Sequence, residues 1–404
     1  MLGLFNMAKV AKKLHFSWTK LLVVVVVIPS FVFSFYKIYQ KQQELHLANA
    51  DLAVKLAENA RTIESIESEI TRLNNEDLRK LSLQTKKEME DLKSTFKATV
   101  NSYEQILLLQ ERGSKITGML SQFSSILNFL SKNDLDSALK VTKELNAEIE
   151  KEKTRLAQSS VTAIPANVPD IKEAPASGFR RQKVTVGESS FLVDVVAADL
   201  NSTKVIVDTA SDSTCTNNCP VLPLATYVSR SGAYAGINGT YFCPETYPSC
   251  AEKKNTFDVL VMNKNKVYFN SDNNVYSTVP VAIFSGNSGR FIGQTSGWGR
   301  DTGVDAVIAN RPLLVLDGNI MFGSGGEDKE GIKSNRSFLG SSSNTGYIGV
   351  VHSATVAESA KVLQAMGIKN AINLDSGGST ALWSGGYKVG PGRNLPNVVL
   401  FVRK

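Results

Sequence analysis

A strand-like run, Asn370–Leu374, delivers the carboxylate of Asp375 to a turn of Ser376, Gly377, Gly378, Ser379 and Thr380. In strand–helix–strand units, ligands gather beyond the carboxyl ends of the strands. Two adjacent glycines let a ligand approach the backbone closely and permit positive φ. The N–H groups of such a turn can bind anionic oxygens. The chemistry on offer is therefore a carboxylate beside an anion-binding loop. It is not a nucleotide-binding P-loop, because no lysine follows the glycines. It is not a nucleophile elbow either, because Ser376 lacks the G-x-S-x-G frame. Two further segments stand out. Gly236–Phe242 carries Asn238 at an Asn-Gly step, with Thr240 after it, and Asn335–Gly340 carries Arg336. Each has a plainer reading: a hairpin turn for Asn238, a surface residue for Arg336, and a turn-capping carboxylate for Asp375. His352, near the end of a predicted strand, is a weaker site candidate; a lone histidine is more often structural.

The elements that must position these residues lie in 183–404. Short β-branched or alternating runs predict strands at Val184–Val186, Phe191–Ala197, Lys204–Val207, Val259–Met262 and Val267–Phe269. Leu313–Leu316 precedes Asp317-Gly318, a hairpin signal. One helix is marked by Thr355 and Glu358 as a capping box, a stripe of Val356, Ala360, Leu363 and Met366, and Gly367 as its stop. It separates the predicted strands Tyr347–Val351 and Asn370–Leu374, so the class is α+β. The four cysteines, Cys215, Cys219, Cys243 and Cys250, are not in paired C-x2-C spacing, which disfavours zinc. Two disulfides fit an oxidising compartment. Three connectivities are open, and the local pairs Cys215–Cys219 and Cys243–Cys250 come first because their loops are short.

Taken in order, GINGTYF, NRSFLG, GIKNAINLDSGGSTALW and GRNLPNV resemble the phosphodiester glycosidase family over most of 183–404. The resemblance implies a mixed, β-rich catalytic domain. Asn238 and Asp375 match the family's Asn and Asp, and its two arginines map onto Arg336 and Arg393. The family's NLDGGGS here has Ser376 in place of its first glycine. The activity implied is hydrolysis of a sugar-1-phosphodiester. Arg336 and Arg393 would grip the phosphate, aided by N–H groups near Gly377 and Gly378. Asp375 would act at the anomeric carbon as nucleophile or base. Asn238 and Thr240 would bond sugar hydroxyls. No cofactor is required; a divalent metal near Asp375 is compatible, but no ligand cluster demands one. The alternative is a glycan-binding module without turnover.

The remainder of the 404-residue chain reads as a support. Its formal charge of +7 comes mostly from Lys9, Lys12, Lys13 and Lys20, so no basic face marks a nucleic-acid binder. Leu21–Tyr36 is uncharged, and residues 17–36 predict a transmembrane anchor within a segment 1–36. A cleaved leader fits less well, because bulky Phe35, Tyr36 and Ile38 follow the run. The basic flank predicts a single pass through the cell membrane with a cytoplasmic N-terminus and an extracellular or periplasmic C-terminal domain. Residues 37–158 predict a helical stalk. Leu45, Leu52, Asn59, Ile66 and Leu73 form heptads with the complementary series Asn49, Leu56, Ile63 and Ile70, implying a homo-oligomeric coiled coil. Residues 104–157 would form a helical hairpin turning at Ser131–Asp134. Residues 159–182, with Pro165, Pro169 and Pro175, read as a linker.

Overall fold

The computed structural model describes residues 28–72, 76–111, 113–159, 164–272, 277–298, 303–323 and 330–404. Two compact units divide the chain, one running to Glu90 and the other spanning Asp91–Lys404. The first holds helix α1 (Ile28–Arg72) and the start of α2 (Glu76–Glu111). The expected transmembrane helix is corrected here: no described helix is long and apolar enough to cross a membrane. Length is not the obstacle, since α1 has 45 residues. Its apolar start, Ile28–Tyr36, gives way at once to Lys37, Lys41 and Glu44, and charged side chains at the centre of a bilayer are costly. The part of the predicted anchor before Ile28 lies outside the described residues. The single-pass placement at a cell membrane loses its support with the anchor. Further along α1, Leu45, Leu52, Leu56 and Ile63 are each exposed, at 59% or more.

In the second unit, the rest of α2 is followed by α3 (Thr117–Ser131) and α4 (Leu135–Ser159). Asn133, with φ of +56°, turns the chain between them. Ile106 and Leu109 of α2 pack with Met119 and Ile126 of α3 and with Leu145 and Ile149 of α4.

The β-rich part then runs β1 (Gly178–Val186), β2 (Ser189–Asp199), β3 (Thr203–Thr209), α5 (Leu224–Ser231) and β4 (Ala235–Asn238). Next come β5 (Val261–Met262), β6 (Tyr268–Phe269), β7 (Val281–Ser285), β8 (Ser288–Ile292), β9 (Ala306–Ala309), β10 (Leu313–Leu316) and β11 (Asn319–Ile320). The last elements are β12 (Ser334–Ser342), β13 (Thr345–Ala354), α6 (Val356–Ala365), β14 (Asn370–Asn373), β15 (Leu382–Ser384), β16 (Tyr387–Val389) and β17 (Asn397–Arg403). They build three sheets, ordered β1-β2-β13-β12-β14-β10-β11, β16-β15-β4-β17-β3 and β6-β5-β9-β7-β8. The class is mixed helix and sheet, as expected.

Pleat geometry explains how one sheet serves two cores. Successive strand side chains point to opposite faces. Val196 and Ala198 of β2 therefore join a central core with Ile237, Ile308, Leu339 and Val399, drawn from all three sheets. Val193, Val195 and Ala197 face the other way, onto Ala360 and Leu363 of α6. The predicted capping box on α6 is present: Glu358 N donates to Thr355 Oγ1 at 3.1 Å, and Thr355 N donates to Glu358 Oε2 at 2.7 Å. Because α6 crosses over β12, β13 and β14 run parallel on either side of it. That brings the end of β14 beside the start of β12 and the end of β13. Both local disulfides, Cys215–Cys219 and Cys243–Cys250, are formed.

Candidate active site

Asp375 is held from behind by its main chain. Its N–H donates to Gly239 O at 2.9 Å, and Asn238 Nδ2 donates to its carbonyl at 2.6 Å. Asn238 is fully buried, and its Oδ1 accepts from Ser337 Oγ at 2.8 Å and Ala381 N at 3.1 Å. One amide thus ties the end of β4 to β12 and to both flanks of the Asp375 loop. After Asp375, Ser376 is extended with φ of −136°, a conformation any residue adopts. The departure from the family's glycine therefore strains nothing. Gly377, with φ of +65°, is the position where glycine is needed to turn the loop. Gly378 lies against the ends of the Glu111 and Arg393 side chains, which a Cβ there would displace.

The carboxylate of Asp375 faces a cavity of about 560 Å³. Four cationic side chains line it, Arg311, Lys333, Arg336 and Arg393, against three acidic ones, Glu111, Glu330 and Asp375. Burial pushes the Asp375 carboxyl up to about 6, outweighing the hydrogen bond from Ser379, the Arg393 charge and the Ser376 N–H. The negative charge of Glu111 adds to the rise. Ser376 N donates to Oδ1 at 2.8 Å. At neutral pH the group is thus ionised but poorly solvated, which favours a reactive base or nucleophile.

The two predicted arginines differ. Arg393 stands at the rim: its N–H donates to Gly378 O at 2.8 Å, its guanidinium lies 5.6 Å from the Tyr247 ring, and it pairs with Glu111. Arg336 is buried, 4% exposed, and donates to the carbonyls of Glu330, Ile332 and Ala354. Its guanidinium braces the cavity wall through these carbonyls. Asn238 and Thr240 are absent from the lining. Thr240 instead accepts at Oγ1 from Asn397 Nδ2 at 2.9 Å and donates its N–H to Asn397 Oδ1 at 2.9 Å. Ser376, Gly377, Gly378 and Ser379 do line the cavity beside Asp375.

Several lining residues escape sequence reasoning. Tyr241 is reached because its N–H donates to Asn310 Oδ1 at 3.1 Å, and its hydroxyl accepts from Asn373 Nδ2 at 2.6 Å. Asn310 Nδ2 in turn donates to Asn373 O at 2.8 Å. Four buried asparagines, Asn238, Asn310, Asn373 and Asn397, therefore pin the loops that form the site. Their signal was present as Asn at strand ends, but it does not distinguish a brace from a turn. His352 is a second-tier support. It bonds Asn335 Oδ1 at 3.1 Å and Asp194 Oδ2 at 2.8 Å, and Arg181 forks onto the same carboxylate at 2.7 Å. Burial opposes the Asp194 charge, yet the bonds from His352 and Arg181 prevail and hold its carboxyl below the usual range. Among the described residues, no group of three or more His, Cys, Asp or Glu side chains converges to hold a metal.

Three solved structures are similar at low identity. A hypothetical protein from Synechocystis is 14% identical with a TM-score of 0.40, over 56% of this chain and 62% of that one. This chain therefore spans less than two thirds of that protein. The zebrafish N-acetylglucosamine-1-phosphodiester α-N-acetylglucosaminidase catalytic domain, auto-inhibited by its pro-peptide, is 14% identical with a TM-score of 0.44, over 59% and 87%. A putative exported protein from Burkholderia pseudomallei is 11% identical with a TM-score of 0.36, over 53% and 74%. No curated protein matches the chain. The family match is local: it begins at the end of α5 and closes within β17, leaving β1 to β3 outside. That span, residues 231–402, matches the phosphodiester glycosidase family and contains Asn238, Arg336, Asp375 and Arg393.

Proposed function

We propose that this domain hydrolyses sugar-1-phosphodiester or related glycan linkages at the C1–O bond. The observation that carries the reading is Asp375: an ionisable carboxylate at about 6 in a cavity rimmed by Arg393, Arg311 and Lys333. The phosphodiester monoanion sits against Arg393 and the N–H groups near Gly377 and Gly378. Asp375 acts at the anomeric carbon, as nucleophile or as base toward water, while the C1–O electron pair leaves on the phosphate. A phosphate monoester is a weak base, so strong protonation of the leaving group is unnecessary. Arg336 shapes the wall, and Asn238 and Thr240 fix the loops. The full chain, incubated with an α-linked sugar-1-phosphodiester, is expected to release free sugar and phosphomonoester in equal amounts. Release of sugar-1-phosphate and free alcohol would refute C1–O cleavage. Saturable binding without product would favour the glycan-binding alternative.

The exposed stripe on α1 supports self-association through its heptads. Sedimentation is expected to show a multiple of the 43.9 kDa chain mass, reverting to monomer in Leu52→Lys/Leu56→Lys. A monomeric wild type at micromolar concentration would contradict it.

A further inference from the structure

Glu111 is the last residue of α2 and lies outside the family match, yet its carboxylate sits on Arg393. The two side chains are only 25% and 21% exposed. The contact is built rather than incidental. Gly378 leaves the space that the pair occupies, and Arg393 is anchored through its own N–H to Gly378 O. The helix is docked as well: Glu104 Oε1 accepts from Ser249 N at 2.9 Å, and Leu108 of α2 joins the cavity lining. Glu111 is also close enough to raise the titration points of both Tyr247 and Asp375 through its charge.

A carboxylate fixed on the guanidinium that is to receive a phosphate has a defined chemical effect. It leaves room for one negative charge on the incoming group and repels a second. A phosphodiester carries one charge. A phosphomonoester or free phosphate carries nearly two above its second pKa, near 6. Placing like charges together is how a site rejects a near relative of its ligand. We propose that Glu111, supplied by the helical segment, is a specificity-determining residue that selects a monoanionic phosphodiester over dianionic phosphomonoesters at Arg393. This rests on the reading of Arg393 as the phosphate seat. It also gives the helices a part in the site: the charge of Glu111 disfavours the dianionic product of hydrolysis more than the monoanionic substrate.

The test compares two probes on the full chain at about pH 8, where inorganic phosphate is mainly dianionic and dimethyl phosphate is a monoanion. Calorimetric titration reads both without requiring turnover. In Glu111→Gln the affinity for inorganic phosphate relative to dimethyl phosphate is expected to rise about tenfold, as loss of one nearby like charge predicts. Glu111→Ala is expected to shift the ratio in the same direction, which separates charge from shape. An unchanged ratio would overturn the proposal. So would equal tightening of both probes, which would make Glu111 a simple competitor for the arginine. The assay under Proposed function fails or succeeds independently. A chain that shows the ratio change but cleaves no diester would keep the charge filter and lose the glycosidase reading. Failure of Arg393→Gln to weaken either probe would remove the phosphate seat itself.

Discussion

Asp375→Asn is expected to lower kcat by at least about a thousandfold while leaving the fold intact, because the amide can neither attack C1 nor accept a proton from water. The wild-type rate should fall on the acid side with a midpoint near 6, as the carboxyl is protonated. A rate that rises toward acid through that point would make Asp375 a general acid and refute its role as base or nucleophile. The same substitution carries a stability effect of opposite sign to its catalytic one. The folded-state value, about 6, lies above the ordinary 3.8. The folded protein therefore binds this proton more tightly than the unfolded chain. That stability is fully present below 3.8 and is lost as pH rises through about 6. At neutral pH the buried charge costs on the order of 3 kcal/mol, and Asp375→Asn removes it. Thermal melts of the two proteins should converge below 3.8, separate as pH rises toward about 6, and stay apart above it with the variant more stable. Equal melting temperatures at neutral pH would show that the carboxylate is not strained by burial.

Asn238→Ala is the second large effect, and it separates positioning from contact. The substitution strips hydrogen bonds from the Asp375 carbonyl, Ser337 Oγ and Ala381 N at a fully buried position. Buried groups left without partners cost about 1–3 kcal/mol each, so a total of about 3 kcal/mol is expected after partial relaxation. The Asp375 loop loses its tether, and kcat is expected to drop about a hundredfold, as an error of about 1 Å in a reacting group can do. KM should change much less, because Asn238 does not line the cavity. If Asn238 instead bound sugar hydroxyls directly, KM would rise steeply and stability would hardly move. Chemical denaturation together with steady-state kinetics distinguishes the two.

What could be read from the sequence was local. The Asp375 loop, the Thr355–Glu358 cap and the two short disulfides each depend on residues close together along the chain, and all appear in the structure. The site's supporting frame was not legible for the opposite reason. Asn238 is 137 positions from Asp375, and Thr240 is 157 from Asn397. Each looked like a ligand contact because a buried amide and a pocket amide share the same turn-prone sequence. Arg336, read from the sequence as a phosphate grip, lines the cavity with its guanidinium on the carbonyls of Glu330, Ile332 and Ala354, partners that only the fold brings together. Glu111 could not be foreseen, since nothing in a helical heptad-like stripe marks one glutamate among many as facing an arginine 282 positions away. The predicted anchor is not met by any described helix, since the part of the run that α1 contains, from Ile28, is followed closely by Lys37 and Lys41.

The sharing of β2 between two cores has a consequence for how such a domain can be trimmed or inherited. β2 lies in the interior of its sheet between β1 and β13, and β3 zips along β17 from Thr203 to Thr209. β1, β2 and β3 all precede residues 231–402, the stretch that matches the family. Cutting at the family boundary would strip α6 and the central core of a common wall and leave β13 and β17 with bare edges open to foreign strands. The stretch that matches the family is therefore shorter than the folded body that its strands are built into.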